Sequence, residues 1–255
     1  MSRPIKSMLV STIVALLGLC TAGSAYAQGF VNTAPAERFV DFDIHLSAGG
    51  SGITQNYASK FEQIRELTNS MGVQYGAGAS AVFSFNSFVG FGTELNLLLN
   101  HARVNMMVAS GQSSTVSSIF LRNRSVYANI PVFMRFRFSI SDAVKWDVMG
   151  GVYYSYGISG KQKQSIYNAS LNSLDQLVPQ MVMSETDFFN CSSTFINSFR
   201  RSDYGLHLGT GIRFGKHISV GFICQFGLKN ISFTSGLVNP SIHNYSVSGR
   251  IGYVF

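Results

Sequence analysis

Eight separate stretches of this chain alternate with period two, and one row of side chains in each contains no Lys, Arg, Asp or Glu. The clearest runs from Val126 to Phe138. Val126, Ala128, Ile130, Val132, Met134, Phe136 and Phe138 share one side, and Tyr127, Asn129, Pro131, Phe133, Arg135 and Arg137 the other. Successive side chains of a β-strand point to opposite faces, so each stretch reads as a strand with an oily face and a polar face. The other seven are Val40–Ser47, Gln74–Phe85, Val89–Asn100, Val144–Tyr156, Asp203–Phe214, Ile218–Lys229 and Asn244–Phe255. Seven of these eight runs are at least as long as the roughly 9 to 11 residues that a tilted strand needs to cross a bilayer, and Val40–Ser47 falls just short.

Composition narrows what could cover eight oily faces. Hydrophobic residues make up 46% of the chain and charged residues 12%, with a mean hydropathy of +0.18. Beyond residue 27 no apolar run approaches the ~18 residues of a helical span. A closed β-barrel is the other structure that satisfies every backbone group inside hydrocarbon. Connections between the stretches also alternate in length. Asn86–Ser87, Ser139–Ala143 and Gly215–Lys216 are short, whereas Gly49–Gly72, His101–Asn123, Gly160–Ser202 and Asn230–Ile242 are long. The expected fold is therefore all-β: an eight-stranded antiparallel up-and-down transmembrane β-barrel with short periplasmic turns and long extracellular loops. Helix-like spacing places a short helix in each of two loops, at Lys60–Met71 and at Ser165–Val178. The aromatic segment Gly160–Ser202, with Phe188, Phe189, Phe195 and Phe199, is expected to fold over the barrel mouth or to meet a protein partner.

The N-terminus supplies the route to a membrane. Arg3 and Lys6 precede an apolar run from Met8 to Leu19, and Ala25-Tyr26-Ala27 offers a small-residue cleavage site. Residues 1–27 read as a cleaved signal peptide, 28–38 as a short periplasmic segment and 39–255 as the barrel. Leu19, directly before Cys20, argues against lipidation there. Cys191 and Cys224 alone remain in the mature chain, which is no disulfide framework. Removing Arg3 and Lys6 lowers the formal charge from +7 to +5. The basic balance reflects scarce acids and not a dense cationic patch, so no nucleic-acid partner is expected. The cell outer membrane of a Gram-negative envelope is the expected location, with its lipid as the first partner.

Which face is wet follows from the residues on each. A soluble carrier barrel would turn the oily rows inward. Here the polar rows are crowded with glycine, including Gly76, Gly78, Gly92, Gly151, Gly205 and Gly252, as suits a narrow interior. The oily rows end in aromatics such as Phe138, Tyr154, Tyr156, Phe214, Tyr253 and Phe255, as interface girdles do. The lumen then receives Asp41, Asp43, Glu94, Arg135, Arg137, Lys145, Asp147, Arg213, Lys229 and Arg250, expected to pair as a polar plug that fills an eight-stranded bore. A sharper alternative makes Glu94 and Arg135 a switchable pair in a narrow porin-like channel. Gly76-Ala77-Gly78-Ala79-Ser80-Ala81 resembles a dinucleotide fingerprint but lies within a strand with no helix behind it. His45, His207 and the serines show no catalytic or metal spacing, so neither enzymatic activity, nor a cofactor, nor a metal is expected.

The segments ANIPVFMRFRF, VMGGVYYSYGISG, RRSDYGLHLGTGIRFGKHISVGFICQFGLKNIS and GRIGYVF resemble the PorT-like family of outer-membrane β-barrel domains, small barrels similar in architecture to OmpX and OmpA. The resemblance extends from about Phe39 to Phe255. It implies an inward basic residue on an Ile-Pro strand, matching Ile130, Pro131 and Arg135, and an inward acid on the third strand, matching Glu94. It also implies that Tyr253 and Phe255 form the C-terminal signal read by the barrel assembly machinery. Members include a component of a protein secretion system, which is a second alternative for function. The segment around Cys191 is longer than the loops of the simplest members.

Overall fold

The structure, a computed structural model, describes residues 30–60, 62–109, 116–171, 177–189, 199–233 and 240–255. The segment 1–27 expected to be a signal peptide, Cys191 and Phe195 lie outside the described residues. The elements in chain order are β1 (Val40–Gln55), a four-residue helix α1 (Tyr57–Lys60), β2 (Ile64–Ser84), β3 (Val89–Ala109), β4 (Val116–Ser139), β5 (Val144–Leu171), β6 (Leu177–Asp187), β7 (Ser202–Phe214), β8 (Ile218–Gly227) and β9 (Ile242–Val254). Eight strands form a ring in the order β4-β3-β2-β1-β9-β8-β7-β5, with β5 returning to β4. Every pairing in it is antiparallel, and β1 closes on β9 from Asp43 opposite Val254 to Gln55 opposite Ile242. Closure leaves the ring no edge.

The alternation decides which way each row points. On β1, Phe42, Ile44 and Leu46 are 53–63% exposed on the outside, whereas Asp41, Asp43 and His45 are 6–7% exposed within. On β4, Ile130, Val132, Met134 and Phe136 point outward and Asn129, Phe133 and Arg135 inward. An exterior of Phe, Ile, Leu, Val and Met side by side is what hydrocarbon covers at no cost and water does not. The short turns lie at the same end of the ring as the end of β9. Residues 30–38 pack there too: Phe30 stacks on Phe138 at 4.9 Å, and the Ser87 N–H donates to the Ala34 carbonyl at 2.9 Å.

At the opposite end five strands run on past the oily band. Outer halves of β2, β3, β4 and β5 stay paired, and β6 adds to the far edge of β5 from Lys161 opposite Asp187 to Leu171 opposite Leu177. The ring's other strands stop lower, so the molecule carries a one-sided wall of five strands. Along this wall the two rows exchange character. The inward row of β3 passes from Glu94 and Asn96 to Ala102, Val104 and Met106, while its outward row passes from Leu95 and Leu97 to Arg103 and Asn105. A strand leaving hydrocarbon for water must make this exchange, because its outer face becomes wet and its inner face must find an apolar cover.

The wall corrects three expectations. The helix expected at Lys60–Met71 is strand from Ile64 onward, with helix only at Tyr57–Lys60. The helix expected at Ser165–Val178 is the end of β5 and the start of β6. Much of the long connections expected at His101–Asn123 and Gly160–Ser202 is β-structure, and the ninth strand, β6, lies outside the ring. In both helix expectations a few apolar positions fell at helical intervals within what is extended strand.

Candidate functional site: a charged lumen beneath an apolar cap

The lumen is stacked in layers, beginning at the short-turn end. Asp41 Oδ2 accepts from three guanidiniums: Arg213 Nη1 at 2.9 Å, Arg135 Nη1 at 3.1 Å and Arg137 Nη1 at 3.3 Å. Arg137 also grips Asp147 with two bonds, Nε to Oδ1 at 2.7 Å and Nη2 to Oδ2 at 2.8 Å. Arg135 Nη2 donates to Ser84 Oγ at 2.7 Å, and Arg213 Nη2 to the Lys216 carbonyl at 2.8 Å. Strands β1, β2, β4, β5 and β7 each contribute to this layer, so it ties five strands together. Lys145 lines the vestibule of about 300 Å³ below it, beside Glu37 and Asp142.

A second cluster follows. Arg250 from β9 pairs with Glu94 and reaches Asp43 Oδ1 at 3.5 Å. His45 places Nδ1 2.7 Å from Asp43 Oδ1 and Nε2 2.7 Å from Asn96 Oδ1, and Asn96 Nδ2 donates to Glu94 Oε2 at 2.9 Å. Ser80 and Ser219 hydroxyls donate to Asp43 at 3.2 and 3.1 Å. Each charge in these two layers therefore has an opposite partner and further hydrogen bonds, the condition under which burial of charge is tolerable. Glycine makes the room. A Cβ at Gly252 would run into the Asp43 carboxylate, and one at Gly92 would come within 2.6 Å of the Phe133 ring.

Phe133 then lies across the bore, stacked on His207 with ring centres 5.6 Å apart. Above it Asn129 donates to Ser155 Oγ at 2.6 Å and exchanges hydrogen bonds with Gln225. Asp203 accepts from Tyr153 Oη at 3.2 Å and from Asn244 Nδ2 at 2.8 Å, while its Oδ1 has no hydrogen-bond partner among the described residues. The spaces left between these layers are about 30, 60 and 20 Å³, room for one or a few waters each.

The outer end is closed by hydrocarbon. Ile53, Val104, Met106, Leu121, Tyr127, Ile231 and Ile242 converge with Phe188, Phe189 and Phe199 into one apolar cluster. Phe188 stacks on Phe199 at 4.2 Å and meets Phe189 edge-on at 4.9 Å. Arg201 holds the cap down by donating to the carbonyls of Gly157 and Ile158, both at 2.9 Å.

Eight of the ten charges assigned to the lumen from the sequence thus meet in two clusters. Lys145 faces the vestibule without an ion pair among the described residues. Lys229 sits near the outer rim, bonded to Ser202 and 5.8 Å from the Tyr204 ring centre, apart from both clusters. Glu94 and Arg135 are not partners: Glu94 belongs to Arg250 and Arg135 to Asp41, which corrects the switchable pair. Sequence reasoning left Asp203, Tyr153, Phe133 and His207 out of the lumen charge assignment, although parity put all four on inward rows. On the outer wall, Glu185 lies between Lys161 and Lys163 at 2.9 and 3.4 Å. Its hydrogen bond from Lys161 and the positive charge behind it hold the Glu185 carboxyl below the usual carboxylate range.

Residues 26–232 match the family described as outer membrane protein beta-barrel domain. No curated protein matches the sequence. Among solved structures the chain is similar to Ail, the attachment invasion locus protein of Yersinia pestis, at 11% identity over 86% of this chain and 100% of that one, with a TM-score of 0.32. It is also similar to the outer membrane protein OprG of Pseudomonas aeruginosa, at 12% identity over 88% and 98% of the two chains, with a TM-score of 0.35.

Proposed function

The chain belongs to the outer membrane protein beta-barrel domain family and resides in the outer membrane, and from that premise we propose that it is a non-enzymatic, non-conducting barrel presenting its five-strand wall outside the cell. The two closures in series carry this reading: buried ion pairs at one end and the Phe188, Phe189 and Phe199 cluster at the other. Within the family, the Ile-Pro strand with inward Arg135 and the inward Glu94 favour a PorT-like placement.

The wall is where a protein partner would dock. Among the described residues β6 pairs with β5 alone, so its other edge offers unpaired backbone groups beside exposed Met181, Val182 and Met183. Tyr253 and Phe255 point outward on the closing strand, edge to face at 5.3 Å, and would serve as the signal for the assembly machinery.

Planar-bilayer recording of the refolded protein tests the non-conducting reading. Silence is expected. Reproducible unitary steps that change when Glu94 is replaced by Gln would favour the porin-like channel instead.

A further inference from the structure

The outward row of the wall carries a ladder of cations. Arg103 of β3 stands opposite Arg122 of β4, Arg122 opposite Lys163 of β5, and Arg124 opposite Lys161. All five side chains are exposed on the outer face, since their neighbours Ala102, Val104, Leu121, Asn123 and Gln162 are buried on the inner one. Like charges directly opposite each other on a sheet are destabilising. Two carboxylates stand near them, Glu185 and Asp187, and both sit at the lysines. Arg103, Arg122 and Arg124 have no hydrogen bond or ion pair among the described residues. Three neighbouring guanidiniums without an anion form an incomplete arrangement.

Height on the barrel identifies the missing anion. The oily outward row of β4 runs from Phe138 to Val126. At about 3.3 Å per residue and a tilt near 40°, that row spans roughly 30 Å along the membrane normal, which is the hydrocarbon and its interfaces. Arg124 and Arg122 are the next two outward residues, roughly 5 and 10 Å beyond Val126 on the same reckoning. On β5, beyond the bulge at Ile158 that follows outward Tyr154 and Tyr156, Lys161 and Lys163 lie at the same level as Arg124 and Arg122, which they face. This is the level of lipid headgroups, where guanidinium forks match phosphate oxygens.

We propose that Arg103, Arg122 and Arg124, flanked by Lys161 and Lys163, bind the phosphate groups of glycolipid headgroups in the outer leaflet. The site fixes the barrel's depth and the orientation of the wall above the membrane, because it lies on one side of the ring only. It is independent of whether the lumen conducts.

The test uses the full-length protein in nanodiscs of phosphatidylcholine containing a minor fraction of lipid A, with native mass spectrometry counting the lipids that leave with the barrel. The wild type should retain lipid A over phosphatidylcholine, and the enrichment should fall as salt rises. Each Arg→Gln change at positions 103, 122 and 124 should lower it about fivefold, and the triple variant on the order of a hundredfold. The Arg→Lys triple should keep a substantial part. Dephosphorylated lipid A should not be enriched. Wild-type enrichment that is indifferent to salt, or a folded Gln triple with undiminished enrichment, would overturn the proposal. So would displacement of lipid A by inorganic phosphate or by a soluble sulfated polysaccharide, since the site would then belong to a free anion or a glycan.

Discussion

Asp41 draws Arg135, Arg137 and Arg213 to one carboxylate oxygen, and this single residue joins three strands, β1, β4 and β7. Asp41→Asn would leave three buried guanidiniums facing a neutral amide. Breaking a buried pair in this way costs about 3–5 kcal/mol, to be read as a lowered urea midpoint for unfolding from lipid vesicles. Arg213→Gln should cost less, because Asp41 keeps two other donors. A midpoint for Asp41→Asn equal to wild type would mean that this layer does not stabilise the barrel. Strand parity made these charges legible as inward, since each lies opposite a row that carries no charged residue. Their pairing was not legible. Asp41 and Arg213 are 172 positions apart, and which arginine reaches which acid depends on the stagger of closed strands, a property of the ring that no single stretch contains.

Strands β2 to β5 were legible only in their lower halves. Within hydrocarbon an oily row opposite a polar one is a strong signal, and the expected runs ended where that signal stopped. Beyond Val126 the strand continues with its faces exchanged, Leu121 buried at 2% exposure and Arg122 outside. A search for one phase loses the strand at the crossing, and a few apolar residues then fall at intervals that suit a helix. The exchange predicts opposite costs at adjacent positions. Leu121→Ala should destabilise by about 2–5 kcal/mol through loss of cap packing, whereas Arg122→Ala should change stability by less than about 0.5 kcal/mol. Equal effects in the same unfolding assay would argue against the inverted wall. The cap was half legible, because the aromatic richness of Gly160–Ser202 pointed to a mouth-covering role without indicating that β6 would extend the sheet.

At the scale of the whole molecule, the proposed reading puts two barriers in one bore, so neither alone determines whether ions pass. Phe188→Ala combined with Phe199→Ala should expose the mouth to protease and still leave planar bilayers silent, since the Glu94, Arg250 and Asp41 layers persist beneath. Currents in that variant would mean that the lumen charges do not seal. All of these expectations require that the oily rows face lipid around a closed ring. Spin labels placed one at a time from Val126 to Phe138 of the reconstituted protein report this. Collision with oxygen dissolved in the bilayer should peak at Ala128, Ile130, Val132, Met134 and Phe136 and drop at each residue between, whereas peaks at Asn129, Phe133 and Arg135, or no alternation, would contradict the lipid-facing barrel.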